Sequence, residues 1–70
     1  MTETEWFDTF PSLQRRARKL MREGFVVLVA EGRCGHWIGY SAFLGKESYL
    51  LRFKGETPDA DPQSIYWETH

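Results

Sequence analysis

Catalysis needs a nucleophile, an acid/base pair or a set of metal ligands, and this chain holds few such residues. Cys34 and His36 stand two apart in the glycine-flanked run Gly32-Arg33-Cys34-Gly35-His36, and His70 is the other histidine. A thiol and imidazole used as nucleophile and base need a third group to orient them and a cleft to hold substrate. Neither is legible here. As metal ligands, Cys34 and His36 supply two donors where a tetrahedral zinc takes about four. Asp59 and Asp61 could add oxygens, but they lie between Pro58 and Pro62 in the pattern of an ordinary turn. The glycines at 32, 35 and 39 lack the following helix that a phosphate-cradling loop requires. The sequence therefore points away from an enzyme, and no metal or cofactor is expected.

What remains is aromatic and cationic, which is the chemistry of binding. Eleven aromatic residues make up 16% of the 70, and each can bury roughly 150–250 Å². Trp37, Tyr40, Phe43, Tyr66 and Trp67 are the candidate protein-contacting anchors, because aromatic side chains dominate interface energies. The alternative is RNA or single-stranded nucleic acid, held through Arg15, Arg18, Lys19, Arg22, Arg33, Arg52 and Lys54 with sheet aromatics stacking on bases. A net charge of −1 gives no whole-molecule attraction to a polyanion. The cations occupy the middle of the chain, between ends that hold Glu3, Glu5 and Asp8 on one side and Glu56, Asp59, Asp61 and Glu68 on the other. A protein partner ranks first and nucleic acid second.

Secondary structure must position these groups. Residues 1–9 read as a polar, acidic leader whose Trp6 and Phe7 pack on the flank of the domain. Pro11 suits the first turn of a helix, and Leu13, Ala17, Leu20 and Met21 recur at spacings of three and four, so a helix spans 10–23 and stops at Gly24. Arg15, Arg18, Lys19 and Arg22 fall on the opposite side. Like charges one turn apart repel by about 0.2–0.5 kcal/mol per pair, so a counter-charge is expected from Glu3, Glu5, a partner protein or a nucleic-acid backbone.

Residues 25–54 read as an antiparallel β-meander. Phe25 to Ala30 forms the first strand, 31–35 a turn, His36 to Phe43 the second strand, and Ser48 to Lys54 the third after a turn at Gly45. In the second strand Trp37, Gly39, Ser41 and Phe43 share one face and Ile38, Tyr40 and Ala42 the other, with Gly39 marking a bulge, a bend or a close backbone approach. In the third, Tyr49, Leu51 and Phe53 face one way and Leu50, Arg52 and Lys54 the other. Residues 55–63 read as an acidic loop and 64–68 as a fourth strand returning to a sheet edge. The fold class is α+β, an N-terminal amphipathic helix followed by a three- to four-stranded antiparallel meander in a single domain.

One helix covers one face of such a sheet, and solvation alone would leave an apolar patch on the other. A domain this small sits near balance between burial and ordering entropy, and a lone cysteine allows no internal disulfide. A second copy is the natural supplement, so a homodimer is expected. The lone cysteine fits a reducing, cytoplasmic setting. The longest apolar run, Phe25 to Ala30, is far short of the roughly 20 residues that cross a bilayer as a helix, so no membrane role is expected.

The short N-terminal helix, the strand after it, and the run from Gly32 through Trp37, Ile38 and Gly39 to the Tyr49, Leu51, Phe53 strand resemble small SH3-like barrels of the Sm and Tudor type. The likeness extends over about two thirds of the chain. It implies a meander curled into a small barrel, and a binding function toward RNA or a protein tail. Taken together, the expectation is a regulator or inhibitor that works by binding protein. Small inhibitors from phages or mobile elements fit that description, as do housekeeping adaptors.

Overall fold

The computed structural model describes residues 2–32, 35–55 and 61–67. Its elements are β1 (Thr2–Phe7), α1 (Phe10–Arg22), β2 (Val26–Glu31), β3 (Trp37–Leu44), β4 (Glu47–Phe53) and α2 (Ser64–Trp67). The class is α+β, as the periodicities predict.

Helix α1 starts where Thr9, in an extended conformation, turns its side-chain oxygen toward the backbone N–H of Ser12 at 3.3 Å, which satisfies one of the free donors of the first turn. Pro11 sits in that turn without losing a hydrogen bond. At the other end Gly24 takes φ +101°, the Gly24 N–H donates to the Met21 carbonyl at 3.1 Å, and the Phe25 N–H donates to the Leu20 carbonyl at 2.9 Å. This is the paired-carbonyl stop that a glycine just past a helix makes available. It also delivers Phe25 into the core beside Leu20.

Strands β2, β3 and β4 form the predicted antiparallel meander. Gly45, at φ +58°, opens the two-residue turn between paired Leu44 and Glu47, as a hairpin turn of matching twist requires. The fourth strand corrects the sequence reading. It comes from the supposed leader: β1 pairs in parallel with β4, from Thr2 against Ser48 to Phe7 against Phe53. The alternation Thr2, Thr4, Trp6 against Glu3, Glu5, Phe7 is that of a strand. Its acidic residues are tolerated because Glu5 meets Arg16 and because β1 lies at an edge. Residues 64–67, expected as a strand, are helical instead. The Asp61 carboxylate accepts from the Gln63 N–H at 2.9 Å, and the Ser64 N–H donates to the Asp61 carbonyl at 3.1 Å. An acceptor side chain followed by proline is a helix-start signal. Here it overrides the strand preference of Ile65 and Tyr66.

The sheet order is β1-β4-β3-β2, open at both edges and not closed into a barrel. Both helices lie on one face. There Leu13, Ala17 and Leu20 of α1 meet Val27, Tyr40, Ala42 and Leu51 of the sheet and Ile65 of α2, all buried with Phe25.

Gly39 determines how β3 can lie against β4. Its φ is +153°, and a Cβ built there would strike the carbonyl oxygen of Leu51, with the Leu51 carbonyl carbon at 2.8 Å. No side chain fits. Next to it the pairing steps from Ala30 opposite Gly39 to Glu31 opposite Trp37, leaving Ile38 unpaired. This bulge turns Trp37 to the helix side, where its ring packs edge-on to Phe10 at 5.6 Å and against Tyr40 at 5.9 Å. The expectation that Trp37 shares a face with Phe43 is corrected accordingly.

Candidate interaction surface

Register fixes which side chains share the uncovered face, because partners across a sheet project to the same side. Three cross-strand rows result: Thr2, Ser48, Phe43 and Val26; Thr4, Leu50, Ser41 and Leu28; Trp6, Arg52, Gly39 and Ala30. Arg52 is the sole charged residue among these twelve. Four of the apolar ones are strongly exposed, with Val26 at 59%, Leu28 at 53%, Trp6 at 50% and Phe43 at 46%. Among the described residues no element lies over this face. In the third row the Arg52 guanidinium stacks on the Trp6 ring at 4.8 Å, an attraction of cation and π-face that holds the edge strand's aromatic flat on its neighbour.

The predicted anchors divide. Phe43 lies on the open face and is available for contact. Tyr40 is fully buried on the helix side, where its hydroxyl donates to the Pro62 carbonyl at 2.7 Å, so it belongs to the core and not to a contact surface. Trp37 and Tyr66 are half-buried against that same core. The Trp67 side chain lies outside the described residues. Sequence reasoning missed Trp6, Val26 and Leu28. For Val26 and Leu28 the sequence holds no signal, because every residue from Val26 to Ala30 is apolar and nothing in the run tells one face from the other.

The cations divide as well. Arg15, Lys19 and Arg22 are exposed along the outer side of α1, with Arg18 half-buried among them. Of the expected counter-charges, Glu5 goes to Arg16, accepting from its Nε and one terminal nitrogen at 2.9 and 3.0 Å; Asp8 lies 3.5 Å from Lys54. Arg16 also lies over the Tyr49 ring at 5.5 Å, and its hydrogen bonds to Glu5 raise its pKa further. Arg52 projects from the opposite side of the sheet to α1. Arg33 lies outside the described residues.

Of the candidate chemical groups, His36 is exposed, Asp61 serves as the start of α2, and Cys34, Asp59 and His70 lie outside the described residues. Among the described residues no three potential ligands gather at a metal-binding distance. A shallow hollow of about 300 Å³ lies between Glu3, Lys46, Glu47, Ser48 and Tyr49 at the β3–β4 turn. It carries no nucleophile beside a base. No helix of the described residues is long and apolar enough to cross a membrane.

Comparison of the chain with protein-family models, with curated proteins and with solved structures finds no match in any of the three.

Proposed function

We propose that this chain is a small non-enzymatic regulator or inhibitor that works by binding protein through the open face of its sheet, and that it self-associates there as a homodimer. The observation that carries the reading is that face: four strongly exposed apolar side chains, Trp6, Val26, Leu28 and Phe43, among hydroxyl residues and one charged residue, Arg52, which lies over the Trp6 ring. Such a surface gains about 25 cal/mol for each Å² of apolar area removed from water. A second copy supplies a face of the same composition, on which Arg52 again lies over Trp6.

Size sets the strength. Four strands about 4.8 Å apart and six residues long at about 3.3 Å each give roughly 400 Å² in projection, hence roughly 800 Å² for two faces. Stable interfaces bury about 1,200–2,000 Å². Self-association is therefore weak and concentration-dependent, in the range where a larger protein partner can displace the second copy.

The nucleic-acid alternative draws less support. Arg15, Lys19 and Arg22 lie along α1, while the exposed aromatics Trp6 and Phe43 lie on the other side of the sheet, so one strand of RNA cannot use both. The resemblance to Sm and Tudor barrels points to binding in general and is compatible with either partner.

Sedimentation from about 1 to 100 μM tests the proposal, a range chosen for a weak interface. The wild-type chain is expected to shift toward twice the monomer mass. The double variant L28E/F43E, whose substituted side chains are exposed, should keep its circular dichroism and stay monomeric. A wild-type chain that is monomeric throughout, or a double variant that still dimerises, overturns the homodimer.

A further inference from the structure

Strand β2 forms the outer edge of the sheet, and Val27 and Val29 point their backbone groups outward from it. The Gly32 N–H reaches inward to the His36 carbonyl at 2.7 Å, so residues 26, 28 and 30 also point their backbone groups at β3, and residues 27 and 29 point theirs outward. The run Val26-Val27-Leu28-Val29-Ala30 has no charge and no proline, and the one charge of β2, Glu31, stands at the end of the strand. Such an edge is what natural proteins normally blunt against pairing with another chain.

Among the described residues the blunting comes from one side chain. The Tyr66 hydroxyl, carried by α2, donates to the Val27 carbonyl at 2.8 Å. Burial raises the pKa of Tyr66, and the Val29 backbone N–H acts on the same hydroxyl oxygen and lowers it. One hydroxyl thus takes up the carbonyl of one outward residue and draws on the N–H of the next. Helix α2 is placed for this by three further contacts. Ile65 is fully buried in the core, the Tyr40 hydroxyl donates to the Pro62 carbonyl at 2.7 Å, and the Gln14 side-chain amide donates to the Ser64 hydroxyl at 2.7 Å.

We propose that Tyr66 is a latch on the β2 edge, and that with the latch withdrawn β2 pairs with β2 of a second copy. The occupant follows from the strand itself. Two β2 strands related by a twofold axis run antiparallel, and a register centred on Leu28 sets Val27 opposite Val29 of the other copy. All four outward groups then bond, and the two Leu28 side chains meet on the open face. The edge-paired dimer joins two four-stranded sheets into one. Its hydrogen bonds come from the backbone of the β2 edge, and Leu28 is the side chain it shares with the face-to-face contact proposed above; V29P, which leaves the open face untouched, separates the two readings.

The test is the variant Y66A, followed by sedimentation and by amide exchange at Val27 and Val29. At concentrations where the wild-type mass is established, Y66A should show twice that mass, with both amides exchanging at least about tenfold more slowly than in a dilute monomeric sample, as expected for amides closed into a strand pairing. The variant Y66A/V29P should return to the wild-type mass, since proline at an edge position removes the donor without touching the open face. Unchanged mass in Y66A, or doubled mass without protection of Val27 and Val29, overturns the proposal. Y66F provides a measurement that keeps the ring in place. The Val29 amide should then exchange at least about tenfold faster than in the wild type, and an unchanged rate means that the hydroxyl latches nothing.

Discussion

Tyr40 carries a hydroxyl into the centre of the core and satisfies it on a single carbonyl, that of Pro62. Burial pushes its pKa well above the ordinary tyrosine value of about 10. Above that pH the unfolded chain gives up the proton while the folded chain retains it. Stability from this group is therefore complete below about pH 10 and is lost as pH rises past it. Thermal unfolding across pH 8 to 11 should show a fall in midpoint that is shallower in Y40F. At neutral pH the same variant should cost about 1 kcal/mol for the lost hydrogen bond. Tyr66, also raised by burial, leaves a residual slope in Y40F. The sequence marks Tyr40 as apolar and aromatic, which is why it reads as an anchor. The core residues of α1 and α2 that cover it, and the Pro62 carbonyl 22 residues on that accepts its hydroxyl, make it a core residue.

Among the elements, α1 was legible to within one residue, ending at Arg22 where 23 was expected. Its stripe, its proline and its terminal glycine are local signals, and local hydrogen bonds carry them out. The meander was legible to within a residue at each boundary for the same reason. What escaped were the elements whose conformation depends on distant partners. Strand β1 depends on β4, 46 residues away at Thr2 and Ser48, whose hydroxyls hydrogen-bond at 2.6 Å. Helix α2 depends on Tyr40 and Gln14. Trp37 changed face because a bulge shifts the strand's period by one residue, which no count along the sequence reveals. Glu5 and Arg16 tie β1 to α1 with side chains 30% and 27% exposed. Substituting E5A should lower global stability by only about 1 kcal/mol. Backbone amides of β1 should nevertheless exchange faster than those of β3, since opening of an edge is a local event. Equal acceleration in both strands would show that β1 opens only with the whole domain.

At the scale of the whole molecule the chain has two unlike sides. The α1 side presents Arg15, Lys19 and Arg22, and the sheet side presents Val26, Leu28, Phe43 and Trp6. Their responses to salt differ. Association through the apolar side should change less than about threefold when salt rises fourfold, because its one charge, Arg52, lies on the Trp6 ring. Binding of single-stranded nucleic acid through the three exposed cations should weaken about twentyfold over the same range. Titration of the chain against itself and against an unstructured RNA at two salt concentrations measures both.

The parallel pairing of β1 with β4 also sets an order of events during synthesis. Strand β1 is made early but has no partner until β4 has emerged, and at about 5–20 residues per second that interval lasts several seconds. Throughout it Trp6 and Phe7 are exposed on a segment that cannot fold alone. The hairpin of β3 and β4 must therefore form first, and it then draws back a strand older than itself.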